Sequence, residues 1–157
     1  MSITLDRTVV PAMTVVALRG TVPTYADEVQ LWERMMPLLE AQAITPSGPG
    51  GVIEHDDEYT PHDVELSIFV PVAPGTLAVP PLEVLELPSR DCLVARVLGS
   101  YDQITEAHRR IDERVAAEHL TFATGEAVER KAFNLYLRTP DQVGEQDLVT
   151  EVCEPLA

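Results

Sequence analysis

Carboxylates, aromatic rings and a guanidinium recur at positions that strand alternation assigns to one face of a sheet. Successive side chains of a strand point to opposite faces, so the apolar even-numbered positions from 64 to 70 predict a core face and leave Glu65 and Phe69 on the other. The same reasoning assigns to that second face Arg96 in residues 91–98, Asn134 and Tyr136 in residues 133–137, and Glu151 in residues 149–153. Carboxylates supply charge and rings supply stacking area, which suits a flat cationic or polar organic molecule. The alternative is a face that is simply solvated, as one face of an antiparallel sheet commonly is.

Other chemistries find little support in the sequence. In residues 55–63, two histidines lie among four acidic residues, but the group falls in or beside a turn without helical spacing or a cysteine partner. We therefore interpret it as a solvated acidic loop. No glycine-rich loop follows a strand in the way that phosphate binding requires, and residues 98–102 lack the second glycine of a nucleophile elbow. We assign no metal, no cofactor and no catalytic residue.

The charge balance of the chain narrows the classes of partner. Its 157 residues hold 11 Lys and Arg against 26 Asp and Glu, a formal net charge of -15. A surface of this sign repels phosphate backbones, so we expect no direct nucleic acid binding. No apolar run approaches the roughly 20 residues that span a bilayer, and no secretory signal opens the chain. Because Cys92 and Cys153 lie inside apolar runs, we expect a cytoplasmic protein with reduced thiols and no membrane contact.

The segments that position these side chains form the same series twice. Each series has an apolar strand, a second strand ended by a glycine, a helix with an apolar stripe, and two further extended segments. The first series has strands at 3–10 and 13–19, a helix from 24 or 25 to about 43, and extended segments at 51–58 and 63–72. The second has strands at 82–87 and 91–98, a helix reaching about 120, and extended segments at 127–138 and 147–154. Pro37 is expected to kink the first helix or end its regular part.

The spacing within the two series matches. The interval from the strand-ending glycine to a residue of the helical stripe is twelve in both, from Gly20 to Trp32 and from Gly99 to Ile111. The sequence therefore predicts a tandem β-α-β-β duplication, the alternative being a chance likeness of two short α+β stretches. Both interpretations give an α+β fold with antiparallel strands and helices on one face. We predict a single domain over residues 1–157, with repeats at about 3–73 and 82–157.

Four segments resemble the GyrI-like small-molecule-binding family, which also supplies the effector-binding domain of AraC- and MerR-type transcription activators. They are residues 63–66 with Pro71-Val72, residues 99–108, residues 133–137 and residues 150–156. The resemblance extends from Ile3 to Leu156. No helix-turn-helix segment precedes Ile3, so we expect a stand-alone member without a DNA-binding module.

The resemblance implies a curved antiparallel sheet with two main helices on one face and a ligand cleft on the other. It implies that Glu151, in the Thr-Glu motif of the last strand, meets cationic ligands. Tyr136 corresponds to the tyrosine of the Tyr-Leu motif, and Glu65 comes from the Asp-Val-Glu motif. Trp32 and Tyr101, near the starts of the two helices, match positions where the family often carries aromatics that line the groove. For Trp32 the alternative is a core position on an apolar helical stripe.

Two positions depart from the family pattern. Asn134 stands where many members carry a glutamate before the Tyr-Leu pair. The resemblance implies that members which hydrolyse reactive cyclopropane-containing compounds depend on paired glutamates. The asparagine at position 134 therefore weakens a hydrolase assignment. Glu154 stands where relatives commonly carry an apolar or aromatic residue.

The sequence thus predicts a protein that binds or sequesters a small cationic or amphipathic organic compound, in the manner of multidrug binding. One alternative is a hydrolase on the same scaffold that detoxifies an electrophilic small molecule, with Glu65 and Glu151 polarising water or the leaving group. Another is an acidic inhibitor that occupies the basic DNA-binding surface of an enzyme such as gyrase. We expect binding rather than enzymatic turnover.

Overall fold

The computed structural model describes residues 2–157, which form eight strands and two α-helices. In chain order these are β1 (Ser2–Val10), β2 (Met13–Val22), α1 (Val29–Ala41), β3 (Gly51–Glu54), β4 (Val64–Pro71), β5 (Leu82–Leu87), β6 (Arg90–Leu98), α2 (Ile104–Ala117), β7 (Phe133–Arg138) and β8 (Val149–Pro155). The predicted α+β class is confirmed. The duplicated β-α-β-β series is confirmed as β2-α1-β3-β4 and β6-α2-β7-β8.

One compact unit, here called the terminal unit, comprises residues 2–11 and 89–157. Its strands pair antiparallel in the order β1-β6-β8-β7. Helix α2 presents Ala107, Ile111 and Val115 at four-residue spacing, which forms one apolar stripe. That stripe packs on alternate residues of the sheet, namely Leu93, Ala95 and Val97 of β6 and Val152 of β8. This contact defines the α2 side of the sheet.

The second compact unit, the central unit, comprises Ala12–Pro88. Its strands pair antiparallel in the order β3-β4-β2-β5. Helix α1 buries Leu31, Met35 and Leu39, again at four-residue spacing. A Cβ added at Gly20 would lie 2.7 Å from Cδ2 of Leu31, so this face of β2 lies under α1. The absence of a side chain at Gly20 lets the helix approach the sheet closely.

The first strand of each series pairs with the second strand of the other series. Strand β1 pairs with β6 from Ser2 opposite Leu98 to Val10 opposite Arg90. Strand β5 pairs with β2 from Met13 opposite Leu87 to Leu18 opposite Leu82. The assignment of the chain to a single domain with repeats at 3–73 and 82–157 stays a prediction.

The structure departs from the predicted elements at several ends. Helix α1 continues through Pro37 to Ala41, so of the two expected effects of Pro37, a kink or an end, the end does not occur. The buried residues Met35 and Leu39 lie on either side of the exposed Pro37, and their packing outweighs the backbone hydrogen bond that proline removes. Strand β7 begins later than predicted because residues 128–130 form a 3₁₀ turn. Neither helix described within residues 2–157 has the length and hydrophobicity that a membrane span requires.

Candidate functional site

Arg96 and Glu151 lie on the face of the terminal unit that points away from α2. They are directly opposite each other on β6 and β8, and directly opposite residues share a face. Their neighbours Ala95, Val97 and Val152 point to α2, so strand alternation turns Arg96 and Glu151 the other way. The predicted faces of both residues are confirmed. Nη1 of Arg96 lies 3.8 Å from Oε2 of Glu151, an ion pair that is partly exposed to solvent.

Strand β7 alternates in the opposite sense to its prediction. Asn134 is opposite Val152 and Tyr136 is opposite Thr150, which places both on the α2 side. The expectation that they share a face with Arg96 and Glu151 is therefore wrong. Its premise was that the apolar residues of β7 mark the helix-covered face.

The face away from α2 is also apolar along β7, for a reason visible at Phe133. Phe133 is fully buried there, and the guanidinium carbon of Arg90 lies 3.9 Å from its ring centroid, a cation–π arrangement. Burial lowers the pKa of Arg90. Its three guanidinium nitrogens have no hydrogen-bond partner within residues 2–157. The ring of Phe133 is thus covered by a side chain rather than by a helix.

Tyr101, Tyr136, Asn134 and Thr150 form a group on the α2 side, here called the tyrosine cluster. The rings of Tyr101 and Tyr136 meet edge to face, with centroids 6.0 Å apart and planes at 69°. Tyr101 begins the 3₁₀ turn that leads into α2 and is 39% exposed, while Asn134 and Thr150 are buried. The hydroxyl of Thr150 has no hydrogen-bond partner in the described part of the chain. The cluster offers ring surface for stacking beside amide and hydroxyl groups for hydrogen bonding.

Thr150 begins the Thr-Glu motif, yet the pattern of its own strand does not mark it as a candidate ligand-binding residue. Thr150 lies two residues before Val152 on β8 and therefore on the same, α2-facing side of the strand. The register of β7 against β8, which pairs Tyr136 with Thr150, is what identifies it. Glu154 has the same parity, and its Oε1 lies 3.5 Å from Nδ1 of His108 on α2. Glu154, the second position that departs from the family pattern, therefore contacts α2.

In the central unit, Glu65 and Phe69 lie on the face away from α1, as predicted. They alternate with Leu66, which is opposite Gly20 and therefore on the α1 side. Oε1 of Glu65 accepts a hydrogen bond from Nε of Arg19 at 2.7 Å, and both groups are partly exposed. Phe69 is fully buried, so its ring offers no open surface in this structure.

His55 and Ser67 are neighbours on the same face as Glu65. Nε2 of His55 lies 2.7 Å from the hydroxyl oxygen of Ser67, which is buried. A carboxylate oxygen of Asp56 accepts the backbone N–H of Glu65 at 3.0 Å. His55 and Asp56 thus hold the start of the 55–63 segment to β4. Within residues 2–157, no three His, Cys, Asp or Glu side chains are arranged to hold a metal ion.

Trp32 lies on α1, which packs on the opposite face of the central unit's sheet from Glu65. Its Nε1 donates to Oε2 of Glu28, one helical turn earlier, at 2.9 Å. A Cβ added at Gly50 would lie 2.8 Å from Cη2 of the indole, so the ring rests against this glycine. Trp32 is half-buried by these contacts.

The terminal unit also contains an open cavity of about 300 Å³ on the face away from α2. It is lined by Ser2, Thr4, Arg96, Leu98, Arg138 and Val149. Arg96 belongs to the predicted set and Arg138 does not. Within the terminal unit, the predicted residues therefore separate into a tyrosine cluster on the α2 side and the Arg96–Glu151 pair beside a cavity on the other.

Comparison with known proteins gives a family match over most of the chain. A family model described as the GyrI-like small molecule binding domain matches residues 8–157. None of the curated proteins matches the sequence.

Several solved structures share the fold. The C-terminal domain of EcmrR aligns with a TM-score of 0.88 at 14% identity, covering 100% of this chain and 99% of that one. The EcmrR chain in its DNA complex with RPo aligns at 0.86 and 14% identity over 98% of this chain, which spans 57% of the length of that EcmrR chain.

Two further structures are less similar. A hydrolase from Listeria innocua aligns at a TM-score of 0.64 with 15% identity, covering 98% of this chain and 91% of the hydrolase. SAV2435 bound to tetraphenylphosphonium aligns at 0.60 with 16% identity, covering 100% of this chain and 94% of SAV2435. At these identities the similarities show the fold alone.

Proposed function

The chain belongs to the GyrI-like small molecule binding domain family, and from this premise we propose that it binds a small cationic or amphipathic organic compound at the tyrosine cluster. The proposed site is on the α2 side of the terminal unit's sheet, whereas the resemblance implies a ligand cleft on the face away from the helices. One observation carries the proposal. The edge-to-face pair of Tyr101 and Tyr136 borders two buried polar groups, and one of these, the Thr150 hydroxyl, has no partner within residues 2–157. A buried hydroxyl without a partner is costly, so a ligand that supplies an acceptor or donor there is favoured.

The preference for a cation rests on three supports. Tyrosine ring faces attract cations electrostatically. The net charge of -15 raises the local concentration of positively charged molecules around the whole protein. A structure with the same fold, SAV2435, holds tetraphenylphosphonium, which is a cation surrounded by aromatic rings.

Glu151 is the carboxylate that the family motif assigns to cationic ligands, and its role here is part of the proposal. It lies on the opposite face of β8 from the tyrosine cluster and is paired with Arg96 at 3.8 Å. A carboxylate in this position contributes charge rather than direct ring contact. Its effect is expected to be smaller than that of Tyr136.

Hydrolysis is a weaker candidate because no observation favours it. The two carboxylates that it would use, Glu65 and Glu151, each contact an arginine, at 2.7 Å and 3.8 Å. Recovery of the ligand with unchanged mass after incubation with the protein is the expected result.

The test is a calorimetric titration with tetraphenylphosphonium and with triphenylphosphine oxide, an uncharged compound of related shape. Replacing Tyr136 with leucine removes ring surface from the cluster, so we expect affinity for the cation to fall about tenfold. Tyr59→Leu is the matched control, because Tyr59 is 79% exposed and belongs to the central unit. It should change affinity less than about twofold.

Glu151→Gln separates charge from stacking. It should weaken the cation and leave the phosphine oxide unaffected, since only the cation interacts with the lost charge. Equal affinities of the parent and Tyr136→Leu for the cation would contradict the proposed site. Equal affinities of the parent and Glu151→Gln would contradict the role of Glu151 alone.

A further inference from the structure

We infer that the cavity on the face away from α2 is a second ligand site, which takes a small organic carboxylate. The inference does not depend on the proposed function, because the cavity and the tyrosine cluster lie on opposite faces of the terminal unit's sheet. It concerns a ligand of the opposite charge. It is based on Arg96 and Arg138, which line the cavity together with the apolar residues Leu98 and Val149.

The cavity is built from two adjacent rows of the sheet. In one row Ser2 pairs with Leu98, Leu98 with Val149, and Val149 with Arg138. In the next row Thr4 pairs with Arg96. These residues share one face because directly opposite residues do.

Arg138 reaches this face through an irregularity in β7. Tyr136 pairs with Thr150, and Arg138 pairs with Val149. The pairing therefore advances two residues along β7 but only one residue along β8. In a regular strand Arg138 would share the α2 side with Tyr136, two residues earlier. The bulge turns Arg138 to the opposite face, an effect that bulges commonly have on side chains near sites.

The two guanidinium groups approach the cavity from different strands. Arg96 lies on β6 and Arg138 on β7, with β8 between them, so their backbones are two strand spacings, about 9.6 Å, apart in the pairing direction. Val149 lies on the strand between them and is buried, while Leu98 beside it is 38% exposed. A carboxylate can therefore meet both guanidiniums while its apolar part covers Leu98 and Val149. The hydroxyls of Ser2 and Thr4 add hydrogen-bonding groups at the β1 edge.

The charges select a monoanion. None of the six described lining residues is acidic, and within residues 2–157 no ion pair to Arg138 is formed. Arg96 is shared with Glu151, whose oxygen is 3.8 Å away. The two arginines and this glutamate together leave one positive charge, which a single carboxylate neutralises and a dianionic phosphate ester exceeds. Arginine and carboxylate are also well matched in hydrogen-bonding geometry.

The experiment is a titration of the protein with phenylacetate, phenylacetamide and phenyl phosphate, followed by calorimetry and by NMR of the arginine Nε–Hε groups. Phenylacetate should bind saturably and shift the signals of Arg96 and Arg138. The uncharged amide should bind at least about tenfold more weakly, because charge-assisted hydrogen bonds are lost. Phenyl phosphate should bind no more tightly than phenylacetate.

Arg138→Gln should weaken phenylacetate about tenfold. Arg34→Gln, which removes the same charge from an exposed position on α1, should change it less than twofold. Unsaturable binding, equal binding of the amide, tighter binding of phenyl phosphate, or equal affinity in the parent and Arg138→Gln would each overturn the inference. Tyr136→Leu should leave phenylacetate binding unchanged and Arg138→Gln should not weaken tetraphenylphosphonium, so failure of either proposal is distinguishable from failure of the other.

Discussion

Cys92 and Cys153 are two free thiols that the terminal unit buries on the face away from α2. Both side chains are fully inaccessible, and the register places them diagonally across β6 and β8. Burial raises the pKa of Cys92 to about 11, from an ordinary value of 9.0, and raises the pKa of Cys153 further. The thiolate is the reactive form, so these cysteines serve packing rather than chemistry at neutral pH.

These raised pKa values predict a loss of stability in alkaline solution. Below about pH 8 both thiols are almost fully protonated in the folded and unfolded chains, so they contribute little pH dependence there. As the pH rises from about 9 to 11, the unfolded chain releases thiol protons that the folded chain retains. The free energy of unfolding should fall over this range, by at most about 1.4 kcal/mol per pH unit for each thiol. Urea unfolding at several pH values between 8 and 11 measures this slope.

Cysteine variants isolate the thiols from the tyrosines that titrate in the same range. Cys153→Ala leaves a cavity and lowers stability at every pH, but the slope between pH 9 and 11 should be shallower than in the parent. An unchanged slope in both Cys92→Ala and Cys153→Ala would show that the thiols ionise as readily in the folded protein as in the unfolded one.

Strand β7 shows the limit of assigning side chains to the two faces of a sheet from sequence alternation alone. In β4, β6 and β8 the apolar residues on one parity do face a helix, and the faces of Glu65, Phe69, Arg96 and Glu151 follow correctly. In β7 both parities are largely apolar or aromatic, so hydrophobicity does not distinguish the faces. The pairing with β8 decides them. That register is set by contacts distant in sequence and cannot be deduced from five residues.

The bulge after Tyr136 has the same origin. Nothing in residues 136–138 specifies an extra residue, since a bulge is visible only relative to the partner strand. The sequence therefore gave no signal for Arg138, and the cavity that it lines was not predicted.

Helix α1 depends on a glycine outside its own sequence. A Cβ at Gly50 would lie 2.8 Å from the backbone oxygen of Phe69 and 2.8 Å from Cη2 of Trp32. The backbone oxygen cannot move without disturbing β4, so Gly50→Ala should destabilise the protein by about 1–3 kcal/mol through overpacking. Urea unfolding of the purified variant measures the change.

Gly144→Ala is the matched control for this prediction. A Cβ there meets nothing within 4 Å, so the same substitution should change stability by less than about 0.5 kcal/mol. If Gly50→Ala is as stable as Gly144→Ala, the close contact between the Trp32 ring and the loop before β3 does not constrain the fold.

At the scale of the whole molecule, duplication could be predicted and strand partners could not. Equal spacings from Gly20 to Trp32 and from Gly99 to Ile111 identify two copies of one series. A strand at the start of a series can pair within its own copy or with the other, and both choices bury the same apolar residues. In this protein β1 and β5 each pair with a strand of the other copy.

Because β1 pairs with β6, a destabilising substitution in β1 should lower the stability of the terminal unit. Leu5 packs against the core of the terminal unit and is opposite Ala95 of β6. Leu5→Asp places a charge there, so it should destabilise the terminal unit by about 2–4 kcal/mol. Native-state hydrogen exchange should show lost protection in β6 and α2, while β2, which follows β1 directly in the sequence, keeps its protection.

Thr8→Asp adds the same charge at an exposed position of β1 and should leave both strands protected. Lost protection in β2 with β6 intact, or an equal loss throughout the chain, would contradict the assignment of β1 to a terminal unit that opens on its own.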